Sequence, residues 1–131
     1  MDRQVVNPWT WQDEYGFVQA NRIEGPSRFL VCAGQSAMNS EGQPQFPGDI
    51  RGQLTLALDN LETVIQQGGF RLADIVRLNI YTTDVDLLFA NYDVIAERLG
   101  AAGVRFAGSM LGVTRLAFPE LMVELEATAA A

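Results

Sequence analysis

The side chains in this sequence that can take part in acid–base or nucleophilic chemistry are few in kind. All nine basic residues are arginine, and the chain contains no lysine and no histidine. This composition excludes Schiff-base lysines, phosphate-loop lysines, serine–histidine and cysteine–histidine nucleophile pairs, and histidine-bearing metal sites. Acid–base work is left to the sixteen carboxylates, the three tyrosines, one cysteine and ordered water.

Cys32 and Glu124 are candidate functional side chains, but each also has an ordinary structural explanation. Cys32 lies between Val31 and Ala33, as a small buried hydrophobe in a strand would, and no histidine or lysine exists to lower the pKa of its thiol. We therefore expect it to be structural rather than nucleophilic. Glu124 and Glu126 alternate with apolar residues, which is also the pattern of an ordinary solvent-facing strand.

Composition predicts one globular domain that binds neither nucleic acid nor membrane. The chain has 131 residues, 48% of them hydrophobic, and a net charge of −7, so it lacks clustered cations for phosphate contacts. No apolar stretch reaches the length of a membrane span, and residues 1–4 lack the pattern of a secretory leader. We expect a single domain over residues 1–131 in the cytoplasm, with an N-terminal extension at 1–14, a fraying tail at 129–131, and no cofactor or metal. A lone cysteine agrees with that reducing compartment.

The segment Asn7-Pro8-Trp9-Thr10-Trp11 is unusual because it contains both tryptophans of the chain. We predict that the two rings cover an apolar seam of the domain or of an assembly. Contact with a ligand is the alternative.

The first half of the chain predicts a hairpin followed by a long helix. Residues 15–20 and 28–33 are rich in β-branched, aromatic and other apolar types, with Gly25-Pro26-Ser27 as the turn between them. Apolar residues then recur at three- and four-residue steps from Leu54 to Ile65, behind Asp49 as the N-cap.

The second half predicts a strand, a helix and two further strands. Residues 75–82 alternate between apolar and polar types, Asp84 can cap a helix that ends at Gly100, and residues 109–116 and 121–128 are typical of strands. The order β, β, α, β, α, β, β predicts an α/β fold of the α+β kind, a mixed sheet with two helices on one face. In so small a domain, a partner subunit is the natural cover for the other face.

Four short motifs occur in an order and spacing shared with one known family. They are Gly34-Gln35, Asp59-Asn60-Leu61, Asp74-Ile75-Val76-Arg77-Leu78 and Val123-Glu124-Leu125-Glu126-Ala127. Each arises easily by chance, but together they make the chain resemble the Rid (YjgF) family over residues 15–127. The resemblance implies a chorismate-mutase-like fold and a homotrimer.

The resemblance also implies an active site in the cleft between subunits, where an enamine or imine of a 2-keto acid is hydrolysed to the keto acid and ammonia. In that site an arginine grips the substrate carboxylate with two parallel hydrogen bonds. The arginine belongs to a Pro-Ala-Arg-Ser motif, which here is Phe106-Ala107-Gly108-Ser109. Gly108 therefore replaces it, which removes hydrogen bonds worth about 1.5–3 kcal/mol each. Arg105 is the nearest substitute, although strand alternation points it away from Gly108.

Other positions carry over from the family by their place in the motifs. Glu124 matches a water-positioning glutamate, Gly34 a pocket glycine and Asn91 a polar residue of the second helix, although a strand-end turn and surface polar groups would explain all three. Phe17 stands where many members carry tyrosine, so the implied pocket is more apolar and less cationic than the deaminase pocket. The residues expected around it, besides Glu124, are Phe17, Ala33, Gly34, Asn91, Phe106, Gly108, Ser109, Met110 and Leu111.

Three functions follow as alternatives. The first is a trimer whose interfacial pockets take a small, weakly charged metabolite, as a binding module or an enzyme of altered chemistry. The second is an enamine/imine deaminase in which another cation replaces the arginine. The third is a structural or interaction trimer with a vestigial pocket. RNA cleavage, a role sometimes attached to the family, is disfavoured by the acidity and by the absence of histidine and lysine.

Overall fold

A four-stranded mixed β-sheet and a separate two-stranded sheet make up the β-structure of the protein. The computed structural model describes residues 1–131. Its strands are β1 (Asp2–Val6), β2 (Ala20–Glu24), β3 (Phe29–Val31), β4 (Ile75–Thr82), β5 (Met110–Gly112) and β6 (Val123–Ala130). The main sheet has the order β3-β6-β4-β5, in which β4 and β5 are parallel and the other neighbours antiparallel, while β1 and β2 form the second sheet.

Three helices accompany these strands: α1 (Ile50–Gln67), α2 (Val85–Ala90) and α3 (Asp93–Ala101). Both predicted N-caps are confirmed, because the side chain of Asp49 accepts a hydrogen bond from the N–H of Gly52 at 2.9 Å and that of Asp84 from the N–H of Leu87 at 3.0 Å. No helix combines the length and the apolar character needed to cross a bilayer.

The second predicted helix is divided in two, and the side chain of Asn91 explains the break. Its Nδ2 donates to the carbonyl oxygen of Leu87 at 2.9 Å, the acceptor that a continuing α-helix would give to the backbone N–H of Asn91. That backbone N–H bonds instead to the carbonyl of Leu88. The chain therefore turns at Asn91 before α3 begins.

The hydrophobic core lies between the helices and one face of the main sheet. Alternate residues of β4 and β6 face α1, whose apolar stripe is fully buried, and Cys32 is buried in the same cluster. Burial raises the pKa of the Cys32 thiol, which agrees with the expected structural role of this residue. The opposite face of the sheet, here called the open face, has no cover within the protomer. It presents Phe29, Val31, Arg77, Asn79, Tyr81, Leu111, Glu124 and Glu126.

The predicted hairpin between residues 15–20 and 28–33 is wrong. β2 begins only at Ala20 and pairs with β1, whereas β3 pairs with β6. A short 3-10 turn at Asp13–Tyr15 ends in Gly16, whose φ of 79° breaks the extended run that the apolar residues indicated. The choice of partner is a long-range one, and the local pattern does not contain it.

Two other sequence expectations about the ends of the strands need correction. Residues 129–131 do not fray, because Ala129 and Ala130 are fully buried in β6 and the N–H of Ala131 bonds to the carbonyl of Arg28. The fifth strand, expected over residues 109–116, is only Met110–Gly112. By contrast, β4 occupies the predicted residues 75–82.

Residues 1–14, predicted as an extension, contribute β1 and attach it to the main sheet. The guanidinium of Arg3 donates to the carbonyl oxygens of Ala73 at 3.0 Å, Ile75 at 3.2 Å, and also Arg105. Asn21 on β2 donates to the carbonyl of Arg105 at 2.9 Å. The small sheet therefore holds the segment that leads into β5, where several of the predicted site residues lie.

Candidate functional site

A cavity of about 340 Å³ lies on the helix side of the main sheet, next to its β5 edge. Six aromatic side chains form most of its wall: Trp11, Tyr15, Phe17, Phe89, Tyr92 and Phe106. Ile80, Gly108, Ser109 and Met110 complete it. We call this the aromatic cavity. It remains open although Phe106 and Met110 lie in its wall, so these two side chains do not fill it.

The rings of the aromatic cavity pack edge to face. Trp11 and Phe17 have centroids 5.5 Å apart with planes at 70°, and Tyr15 and Tyr92 have centroids 6.4 Å apart with planes at 73°. The hydroxyl of Tyr92 donates to the carbonyl oxygen of Tyr15 at 2.8 Å, and burial raises the pKa of Tyr92 to about 12. Tyr92 is therefore a fixed wall residue and not an acid at neutral pH.

Gly108 brings the backbone of the chain unusually close to β4. A Cβ atom at this position would lie 2.6 Å from the carbonyl carbon of Leu78 and closer still to its oxygen. The backbone on either side bonds to β4, since the N–H of Leu78 donates to Ala107 at 3.0 Å and that of Ile80 to Ser109 at 2.9 Å. No side chain fits at position 108 in this arrangement. The path of the backbone therefore requires glycine there.

Glu124 lies on the open face, away from the aromatic cavity. Its side chain covers Gly34, where an added Cβ would come within 2.6 Å of the Glu124 Cδ, and it accepts a hydrogen bond of 3.4 Å from the hydroxyl of Ser36. Asn60 on α1 holds this loop by donating to the carbonyls of Ser36 and Met38, both at 2.9 Å. Gly34 and Glu124 are thus brought together, with Ser36 as a neighbour that the motifs did not indicate.

The two glutamates of β6 differ in their surroundings. Glu126 accepts hydrogen bonds from the hydroxyl of Tyr81 at 3.0 Å and from Asn79 at 3.3 Å. The hydrogen bond to Glu126, together with burial and the negative charge of Glu126, raises the pKa of Tyr81. Glu124 has only the long bond from Ser36. Of the two carboxylates, Glu124 is therefore the one left available for a ligand or a water molecule.

Within one protomer the aromatic cavity and Glu124 lie on opposite faces of the sheet. Glu124 is paired with Tyr81 on the open face, whereas Ile80, one residue earlier, faces the helices together with its partner Met110. Because side chains alternate along a strand, neighbouring residues point to opposite faces. Glu124 can approach an aromatic cavity only if that cavity belongs to another copy of the chain.

Besides Gly34 and Glu124, three of the residues expected around the pocket lie outside the aromatic cavity. Asn91 is bonded to Leu87 and accepts a hydrogen bond from Arg51 at 3.3 Å. Ala33 follows β3 and directly precedes Gly34, and Leu111 points to the open face with Tyr81. Phe17, Phe106, Gly108, Ser109 and Met110 do line the cavity. Its remaining residues were not foreseen as lining residues, except for Trp11, for which ligand contact was the alternative expectation.

No guanidinium lines the aromatic cavity, and most arginines are engaged elsewhere. Four form ion pairs with carboxylates, Arg3 bonds to carbonyl oxygens, and Arg28 lies over the Phe70 ring. The side chains of the other three make no hydrogen bond and no ion pair: Arg77, Arg105 and Arg115. The structure also contains no cluster of three or more cysteine, aspartate or glutamate side chains that could hold a metal ion.

Comparison with known proteins identifies the family. The sequence model of the Endoribonuclease L-PSP family matches residues 13–131. The crystal structure of YyfB from Yersinia pestis, a protein of unknown function in the Rid family, is 36% identical over the whole of both chains, with a TM-score of 0.85. This chain belongs to the Rid (YjgF) family. The expected mixed α/β fold is thereby confirmed as a Rid fold, in which trimers are typical.

Two further relatives are similar to most of this chain. A Mycobacterium tuberculosis member of the YjgF/YER057c/UK114 family is 33% identical, covering 99% of this chain and 100% of its own, with a TM-score of 0.66. A RutC family protein from Pyrococcus horikoshii is 28% identical over 101 residues, 77% of this chain and 78% of its own. Because the match to the family model begins at residue 13, β1 and Trp11 lie outside the matched residues.

Proposed function

We propose that this Rid protein is a homotrimer whose interfacial pockets bind a small, weakly charged metabolite, and that it is not a standard 2-imino acid deaminase. Each pocket combines the aromatic cavity of one protomer with Gly34, Ser36 and Glu124 of its neighbour. The position of these two groups on opposite faces of one sheet supports such a shared site.

The observation that carries the proposal is the close approach of Gly108 to Leu78. An arginine side chain cannot start from this backbone without moving β5, and no other guanidinium lines the aromatic cavity. A carboxylate placed there would lose its hydration without gaining a bidentate, charge-assisted partner. A substrate that depends on its carboxylate for binding is therefore disfavoured.

The deaminase alternative requires one of the three unpaired arginines to reach the pocket. Arg105 is poorly placed, because its carbonyl oxygen is held by Arg3 and Asn21 on the side of the small sheet. Its positive charge contributes, after burial, to lowering the pKa of Arg3, which agrees with their closeness. The structural alternative predicts a filled pocket, whereas the aromatic cavity is open. RNA is a poor ligand for a chain with a net charge of −7.

The experiment that tests the proposal generates a 2-imino acid in solution with an amino-acid oxidase and measures its hydrolysis. Semicarbazide traps the imine faster than the keto acid, so hydrolysis lowers the rate of semicarbazone formation. We expect this protein to leave the rate at the buffer value, while a Rid protein that carries the arginine lowers it in the same assay.

A protein-dependent fall in semicarbazone formation would overturn the proposal. In that event the variants Arg77→Ala, Arg105→Ala and Arg115→Ala would identify the substitute cation, because only the arginine that binds the carboxylate should abolish the activity. The variant Gly108→Arg is a poor test on its own, since the structure leaves no space for the new side chain.

A further inference from the structure

We propose that the aromatic cavity selects an uncharged, flat aromatic molecule, and that Trp11 is a specificity-determining residue for it. The inference rests on the proposed function, because it names the ligand class of the same site. It adds the shape and charge of the ligand and assigns a role to a residue outside the part matched by the family model.

The polarity of the wall argues for a ligand without charge. No carboxylate, guanidinium or side-chain amide lines the aromatic cavity, and its polar side-chain atoms belong to hydroxyl groups and one indole N–H. An anion would be desolvated there without a cationic partner. An ammonium ion would gain from the ring faces, but in the proposed trimer Glu124 belongs to the neighbouring protomer and is not part of the aromatic wall, so no carboxylate within that wall would offset its lost hydration.

The arrangement of the wall argues for a flat ring. Neighbouring rings already meet at 5.5 to 6.4 Å and at steep angles, so a further ring can continue the same edge-to-face packing. A volume of about 340 Å³ is at the small end of ligand pockets, which span about 300–1,000 Å³. This size suits a molecule of one or two fused rings.

Trp11 is held at the wall by hydrogen bonds of its neighbours. Gln12 is fully buried, and its Nε2 donates to the carbonyl oxygen of Trp9 at 2.9 Å while its Oε1 accepts from Gln19 at 3.0 Å. The backbone N–H of Gln19 donates in turn to Asn7 at 2.8 Å. These bonds fix the segment, so that the Trp11 ring packs against Phe17 although 58% of Trp11 is exposed.

Trp9 provides a matched control for Trp11. It lies two residues earlier on the same segment and is 59% exposed, but its side chain does not line the aromatic cavity. Replacement of either tryptophan removes the same type of surface ring. Only the loss of Trp11 should affect a ligand in the cavity.

The test uses isothermal titration calorimetry with three probes that share one ring system: 2-naphthalenemethanol, 2-naphthoate and 2-naphthylmethylammonium. We expect the neutral probe to bind about tenfold or more tightly than either ion, since 1.4 kcal/mol of desolvation corresponds to a factor of ten. Trp11→Ala should weaken the neutral probe by about threefold to tenfold, Trp11→Phe by less, and Trp9→Ala not at all. Light scattering and circular dichroism establish that each variant keeps the assembly and fold of the parent protein.

The other possible outcomes show which of the two proposals fails. Tightest binding of 2-naphthoate would overturn both, because it requires a cation in the pocket. Tightest binding of the ammonium probe, or binding of none of the three, would overturn this inference while the imine assay still decides the proposed function. Equal losses in Trp11→Ala and Trp9→Ala would overturn the role of Trp11.

Discussion

Gly108 and Gly34 are both glycines at candidate site positions, but a Cβ atom added at each would meet a different kind of obstacle. At Gly108 the obstacle is the backbone carbonyl of Leu78, which cannot move without displacing β4. At Gly34 the obstacle is the end of the Glu124 side chain, which can rotate away. The close approach at Gly108 is therefore set by the path of the main chain, whereas the contact at Gly34 depends on the position of one side chain, that of Glu124.

We predict that Gly108→Ala lowers the free energy of unfolding by about 1–3 kcal/mol, as overpacking typically does, and by more than Gly34→Ala. Chemical denaturation at one fixed protein concentration measures both, because an oligomer's stability depends on concentration. Gly100→Ala in α3 is the control, since nothing lies within 4 Å of its added Cβ. It should be neutral or stabilising by up to about 1 kcal/mol. A Gly108→Ala protein as stable as its parent would show that β5 does not pack against β4 as described.

At the scale of elements, the turn before β4 illustrates how a short sequence positions a central strand. Asp74 accepts a hydrogen bond from the backbone N–H of Arg71 at 2.8 Å and another from its guanidinium at 3.0 Å. Burial alone would raise the pKa of this carboxyl, but the bonds from Arg71 outweigh it and the pKa is lowered. The carboxylate form therefore stabilises the folded state.

Asp74→Asn should lower the free energy of unfolding by about 1–2 kcal/mol at neutral pH, because it removes the charge from both hydrogen bonds. The carboxyl has a lower pKa folded than unfolded, so its contribution is complete above the ordinary value of 3.8 and is lost as the pH falls below it. Denaturation at a series of pH values measures the free energy of unfolding of parent and variant. The difference between the two free energies should become smaller below pH 3.8. A difference that does not change with pH would contradict the charged role of Asp74.

At the scale of the whole molecule, the open face of the main sheet is the surface that no element of the protomer covers. Phe29 and Val31 on β3 are 60% and 79% exposed, and Leu111 on β5 is exposed as well. Apolar groups of this size on one sheet face are typical of a surface that another copy covers. The same face carries Glu124. Burial of this face in a trimer would therefore also bring Glu124 to the proposed pocket of the neighbouring protomer. The cytoplasmic location and the absence of a cofactor stay predictions.

Val31→Glu should dissociate the assembly without unfolding the protomer, because the side chain is mostly exposed within it. Light scattering should give a mass three times that of the chain for the parent and a lower mass for the variant. Thr63→Glu, a new carboxylate at an exposed position of α1, should leave the trimer intact. A monomeric parent protein would remove the shared pocket and with it the proposed function.

The sequence alone determined the elements whose signals are local. The helix behind Asp49, the strand at residues 75–82 and the cap at Asp84 follow from spacing and capping, since the interactions that form them join residues close in the chain. The replacement of the family arginine by Gly108 stays a prediction, but the apolar character of the cavity was readable there. The aromatic rings at positions 17 and 106 indicated the latter.

Only the tertiary structure decided which distant segments meet. β2 pairs with β1 rather than with β3, the alanine tail is a buried part of β6, and Tyr15, Phe89 and Tyr92 join Trp11 around one cavity. It also separated Glu124 from that cavity by one layer of sheet. Strand partners and cavity walls depend on contacts between residues far apart in the chain, and no local pattern specifies such contacts because many segments could satisfy it equally well.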